Sequence, residues 1–140
     1  MDAPREVKVA IFLSWTVVVI ETADRLWRTS MDSYATTFAR LGSNLTIATL
    51  SSAALVALFI FFAARRHNWA RIALLVSTLG GWCLWYLWLF GFRASAEYVW
   101  WQWLGYGSLT AMELAALILL FHGNSAAWYR AGAARTVGAL

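Results

Sequence analysis

Glu113 is a lone carboxylate inside residues 99–121, a run otherwise long and apolar enough to cross a bilayer. An ionisable group at that depth costs at least about 2.5 kcal/mol even on the lenient insertion scale, so it is expected to face protein or water and to mark a functional site. Gln102, Tyr106, Thr110 and Glu113 share one helical stripe that leads from one surface towards mid-membrane. Such a stripe has the chemistry to hold a small cation or to relay a proton. Glu21 is the second candidate. At a rise of about 1.5 Å per residue, Glu113 lies about 12 Å from the inner edge of the membrane core, and Glu21 lies about 21 Å from that edge. A depth difference of about 9 Å argues against a shared-proton dyad and fits successive stations on one path. Arg25, one turn on from Glu21, offers the plainer role of an ion pair at the outer interface.

Other residues at this level carry weaker signals. Trp82 and Trp85 lie nearer the centre of the third apolar run than an interfacial aromatic belt requires. Ring faces beside a carboxylate suit a cation, and an aromatic cleft also suits a lipophilic ring such as a quinone or sterol. Core packing is the plain alternative. Ser14, Thr16, Ser51, Ser52, Ser77, Thr78, Gly80 and Gly81 fall near the level of Glu113 and would give the bundle a polar centre. The same residue types let membrane helices pack closely. Packing does not call for a carboxylate, which sets Glu113 apart; its structural alternative is a hydrogen-bonded glutamic acid.

Several chemistries are argued against. His67 and His122 sit at one membrane boundary, too few ligands for a haem or a metal centre. Cys83 is the single cysteine, which excludes dithiol chemistry within one chain and fits a small packing residue. There is no nucleophile–base constellation, metal motif or phosphate loop, so neither an enzyme nor a cofactor is expected.

The elements that must position these residues follow from composition. Charged residues make up 13% of the chain, against roughly 25% for a soluble domain. Residues 45–64 and 72–92 contain no charge, and each is about the length that a bilayer requires. A soluble four-helix bundle would show a polar face on each helix, and these two runs do not. The first helix opens after Pro4 and continues through the charged residues 21–28, with Glu21–Arg25 and Asp24–Arg28 spaced as ion pairs. The mixed charges of residues 2–8 and the lack of a small-residue cleavage site argue for a retained helix rather than a cleaved signal. The expected fold is therefore all-α: a four-helix integral membrane bundle forming a single domain. Its helices fall at about 5–28, 45–64, 69–92 and 98–122, and a short outer interfacial helix is the pattern at 30–41.

Arg5, Lys8, Arg65, Arg66, Arg71, Arg130 and Arg135 fall on one side. Arg25, Arg28, Arg40 and Arg93 fall on the other, together with Asp24, Asp32 and Glu97. The positive-inside rule puts both termini and the 65–71 loop in the cytoplasm. The net charge of +4 thus reflects topology and anionic headgroups, and no nucleic-acid-binding patch is present. In the inner loop Asn68 is the expected N-cap of the third helix. Gly123 is an expected helix stop, and Ser125 the cap of a short turn holding Trp128, Tyr129 and Arg130 on the inner surface.

The run Val7-Lys8-Val9-Ala10 with Leu13 and Trp15, the tetrapeptide Asn68-Trp69-Ala70-Arg71, and Leu119-Leu120-Phe121 with Ser125, Trp128 and Arg130 carry a resemblance. Together they resemble a group of small four-helix inner-membrane proteins of proteobacteria without assigned function. The likeness covers the helix ends and inner loops and weakens over residues 22–45 and 93–105. It implies a bacterial inner-membrane, multi-pass location and carries over no catalytic residue. Two functions are expected: binding or moving a small cationic or lipophilic solute through a polar and aromatic cleft, or serving as a non-transporting accessory subunit. The expected partners are the lipid bilayer and, through the small residues Gly105, Ser108 and Ala111, a second copy or a larger membrane complex.

Overall fold

A computed structural model of the chain describes residues 3–32, 39–91 and 100–137; the side chains at 29, 31, 32, 39–45, 85, 88–91, 101, 102 and 132–137 lie outside that description. Every described element is a helix: α1 (Arg5–Asp32), α2 (Ala39–Ala64), α3 (Asn68–Gly91), α4 (Trp100–Phe121) and α5 (Gly123–Val137). The all-α expectation holds.

Several boundaries differ from expectation. α1 runs four residues past Arg28, and α2 starts well before position 45, so both ends of the expected interfacial helix at 30–41 belong to the long helices. Its centre, residues 33–38, lies outside the described residues. α3 begins at Asn68, which makes His67 the cap: the Ala70 amide donates to the His67 carbonyl at 3.1 Å. Gly123 opens α5 rather than stopping α4, and α5 is a helix of 15 residues rather than a short turn. Ser125 does not cap it. Its hydroxyl donates 2.6 Å back to the Leu119 carbonyl, one of the acceptors that the end of α4 leaves open.

α1 is the central helix, packed along α2 on one side and α4 on the other. α3 packs mainly on α2 and touches α4 only slightly, so the ring of four long helices is tight everywhere except at the α3–α4 seam. The fully buried residues gather at the end that carries the 65–67 turn. They are Val7 and Ala10 of α1, Ile60 and Ala63 of α2, Ala70 and Leu74 of α3, Ala116 and Leu120 of α4, and Trp128 and Tyr129 of α5. Alanine recurs on every long helix in this cluster, which lets the backbones approach, and the two α5 rings fill the space below.

Of the four expected spans, two contain, among the described residues, segments long and apolar enough to cross a membrane, Thr46–Ala64 on α2 and Trp103–Phe121 on α4; α1 and α3 do not. Only 11% and 17% of those segments is buried inside the molecule, so their apolar side chains mostly point outward.

Candidate functional site

Glu113 stands on α4 one turn before Ala116 and Leu117, and the three face a cavity of about 30 Å³. Leu120 of α4, Ser14, Val17 and Val18 of α1, Val56 of α2, and Leu74 and Thr78 of α3 complete its walls. The polar lining is therefore two hydroxyls and one carboxylate from three helices. A water needs at least about 10–15 Å³ by the same measure, so the cavity has room for one or two waters or an ion of similar size.

The Glu113 side chain is half-buried, and its Oε2 accepts a hydrogen bond of 2.6 Å from the Trp82 indole Nε1. This bond crosses the α3–α4 seam, where the two helices otherwise hardly meet. Trp82 thus acts as a hydrogen-bond donor to the carboxylate. The Trp85 and Gln102 side chains lie outside the described residues. Ser14 and Thr78 join Glu113 as expected. Thr16 instead donates to the Phe12 carbonyl at 2.9 Å, and Ser52 to the Thr49 carbonyl at 2.9 Å. Ser51, Gly80 and Gly81 are exposed, as is Cys83, which is not a packing residue.

The rest of the stripe runs along the α1–α4 contact. Thr110 and Tyr106 are half-buried. The Tyr106 hydroxyl donates to Asp24 Oδ2 at 3.4 Å, and the same oxygen accepts from Arg28 Nε at 2.9 Å. The Arg28 guanidinium also lies 5.6 Å from the centre of the Tyr106 ring. Both expected ion pairs form, the second being Arg25–Glu21 at 3.4 Å. Glu21 and Arg25 lie close enough to act electrostatically on Glu113, but the two carboxylates are not bonded to each other. Asp24 is the residue that sequence reasoning missed here. Its spacing to Arg28 was legible, whereas its bond to a tyrosine 82 residues further along is a product of helix packing.

A second polar constellation occupies the opposite end. The Tyr129 hydroxyl donates to the Ala63 carbonyl at 2.8 Å. Arg66 Nη2 donates to the Trp128 carbonyl at 2.7 Å, with its guanidinium 4.6 Å from the Trp128 ring centre. Arg71 Nη1 reaches the Leu120 carbonyl at 3.5 Å, and its guanidinium lies 4.9 Å from the Phe121 ring and 5.0 Å from the Tyr129 ring. Burial pushes the Tyr129 hydroxyl up to about 12, against the opposing pull of Arg71. The Asn124 amide donates to Glu6 Oε1 at 2.9 Å, and that bond holds the Glu6 carboxyl below its ordinary range. His67 stacks edge-on against Phe62 at 5.3 Å and shares no metal-binding group with other residues among those described.

Comparison of the chain with protein-family models, with curated proteins and with solved structures finds no match.

Proposed function

We propose that the chain is a small multi-pass protein of the bacterial inner membrane, with all four long helices spanning and both termini cytoplasmic. In this reading it binds or passes a proton or a small cation at Glu113. The observation that carries the reading is the half-buried Glu113 carboxylate, held by Trp82 in the wall of a cavity it shares with Ser14 and Thr78. Membrane placement is supported by the outward-facing apolar side chains of all four helices, among them Phe12, Ile47, Val76, Leu84, Leu104 and Ile118. In water such a surface would associate or aggregate. The basic 65–71 turn and the resemblance to small proteobacterial inner-membrane proteins support the orientation.

The small cavity beside Glu113 supports the proton or small-cation side of the expectation over the lipophilic one. From Glu113 the path outward follows Thr110 and Tyr106 to the Asp24–Arg28 pair, with Glu21 and Arg25 alongside. Flux into proteoliposomes tests this, with Glu113→Gln as the variant. Loss of a pH-dependent cation or proton flux is the expected result; the same flux and pH dependence in the variant would rule Glu113 out.

A second reading, an accessory subunit without transport, is favoured by one observation. Gly105, Ser108 and Ala111 lie exposed on α4, and apart from its chain neighbours and its own helix backbone nothing described comes within 4 Å of where a Cβ on Gly105 would be. Small residues of this kind form close helix contacts in membranes. Mild-detergent purification separates the readings: recovery within one larger complex, lost with Gly105→Leu, favours the subunit.

A further inference from the structure

We propose that Arg66, Arg71 and Trp128 form a binding site for the phosphate of an anionic lipid headgroup at the inner end of the bundle. The proposal rests on the membrane placement above and not on any role for Glu113. Both arginines are half-buried, and neither has a carboxylate partner among the described residues. The two ion pairs found there both lie on α1, at the other end of the molecule. Glu6, the carboxylate at the inner end of α1, is engaged by Asn124. The two guanidiniums instead rest on adjacent rings, Trp128 and Tyr129, whose centres are 5.0 Å apart.

These contacts leave three donors sealed from solvent without an acceptor: Arg66 Nε, Arg71 Nε and Trp128 Nε1. Trp128 itself is only 8% exposed. Buried donors in folded proteins nearly always find a protein group, a water or an ion, and an unmet charged donor is the costliest case. Two cations without a counter-ion, beside an indole N–H without an acceptor, are the complement of an anion with several acceptor oxygens. A phosphate diester fits, because guanidinium forks pair with its oxygens. Arg65 and His67, exposed on either side of Arg66 in sequence, add basic groups to this end of the molecule.

Inorganic phosphate and a phospholipid share this chemistry. The lipid is favoured because Phe61, Trp69 and Ile72 flank the two arginines in sequence and expose apolar surface on which acyl chains can lie. Basic sites between helices at the cytoplasmic face are a recurrent mode of headgroup binding.

The test uses the full chain in phosphatidylcholine nanodiscs, following the Trp128 indole N–H resonance, assigned with Trp128→Phe. Titration with phosphatidylglycerol is expected to shift it saturably, while inorganic phosphate leaves it in place. An equal shift with inorganic phosphate would overturn the lipid as the source, and no shift with either would overturn the site in favour of water. Native mass spectrometry supplies the second readout. R66Q/R71Q should retain phosphatidylglycerol about tenfold less well than the unmodified chain, and R5Q/R130Q, with the same loss of charge, should retain it normally. Equal loss in both pairs would reduce the effect to general surface charge and overturn the proposal. Should R66Q/R71Q fail to fold, the resonance of the unmodified chain decides. Release of the chain from membranes by alkaline carbonate would overturn the membrane placement and the lipid source together, leaving the phosphate titration to decide the site.

Discussion

The Trp82–Glu113 bond concentrates much of the α3–α4 contact in one donor and one acceptor. Trp82→Phe keeps an aromatic ring and removes the N–H, leaving a half-buried carboxylate short of a donor at a cost of about 1–3 kcal/mol. Glu113→Gln keeps an acceptor of the same shape and should cost less. A double-mutant cycle on unfolding in nanodiscs is expected to give a coupling above about 0.5 kcal/mol, as for residues in direct contact; additivity of the two single changes would show that the bond does not hold the seam. Tyr129 makes a prediction of opposite chemistry. Its hydroxyl is raised to about 12 in the fold, so folding favours the neutral, donating form. Stability from this group is complete below its unfolded value of about 10, and it falls as pH rises through the window to about 12. The loss should total about 2–3 kcal/mol. Tyr129→Phe is expected to cost about 1 kcal/mol at neutral pH and to abolish the decline above pH 10. Unfolding followed from pH 8 to 12 distinguishes the two chains.

Among the elements, the 65–67 turn shows how a charged residue comes to occupy a position that usually takes glycine. Arg66 has φ 69°, the left-handed region. The His67 amide returns to the Phe62 carbonyl at 3.0 Å, and the Arg66 amide to the Ala63 carbonyl at 3.1 Å, which is the Schellman closure of a helix. His67 against Phe62 supplies the usual hydrophobic contact across it. Replacing Arg66 by glycine relieves about 1 kcal/mol of backbone strain. It removes a charged hydrogen bond worth about 1.5–3 kcal/mol and a ring contact worth about 0.5–1 kcal/mol. The balance predicts net destabilisation of about 1 kcal/mol or more. A thermal midpoint for Arg66→Gly at or above that of the unmodified chain would show that strain outweighs the grip on α5. α5 illustrates the reverse case: little in its own sequence demands a helix of its length, and it is held by Ser125, by Tyr129, by Arg66 from the 65–67 turn and by Arg71 of α3 against the Tyr129 ring.

At the scale of the whole molecule, burial is concentrated at one end while apolar side chains point outward along the helices. That distribution suits a bilayer as solvent, since lipid tails solvate leucine as well as a protein core does and leave little drive to close the α3–α4 seam. It sets up a topology prediction. In a Cys83→Ala background, a single cysteine at exposed His67 should be labelled only from the cytoplasm, and one at exposed Ser30 only from the outside. Labelling of both from the same side would remove the four-span arrangement.

The helical class, the two apolar spans of α2 and α4, and the two ion pairs of α1 were legible in the sequence, because each depends on periodicity, composition or separations of a few residues. The cap expected at Asn68 is displaced by the local closure of α2 at His67, whereas the length of α5 depends on hydrogen bonds from elsewhere in the fold, to which local preferences yield. Trp82 as the partner of Glu113, Asp24 as the acceptor for Tyr106, and the arginine clasp on Trp128 and Tyr129 join residues 31, 82 and 62 positions apart in the leading contact of each. Sequence by itself determined that a carboxylate would sit at mid-helix in apolar surroundings, since that follows from where the charges fall. Only the tertiary structure decided which helix supplies its hydrogen bond and how little space lies beside it, since both depend on how four helices rotate and tilt against one another.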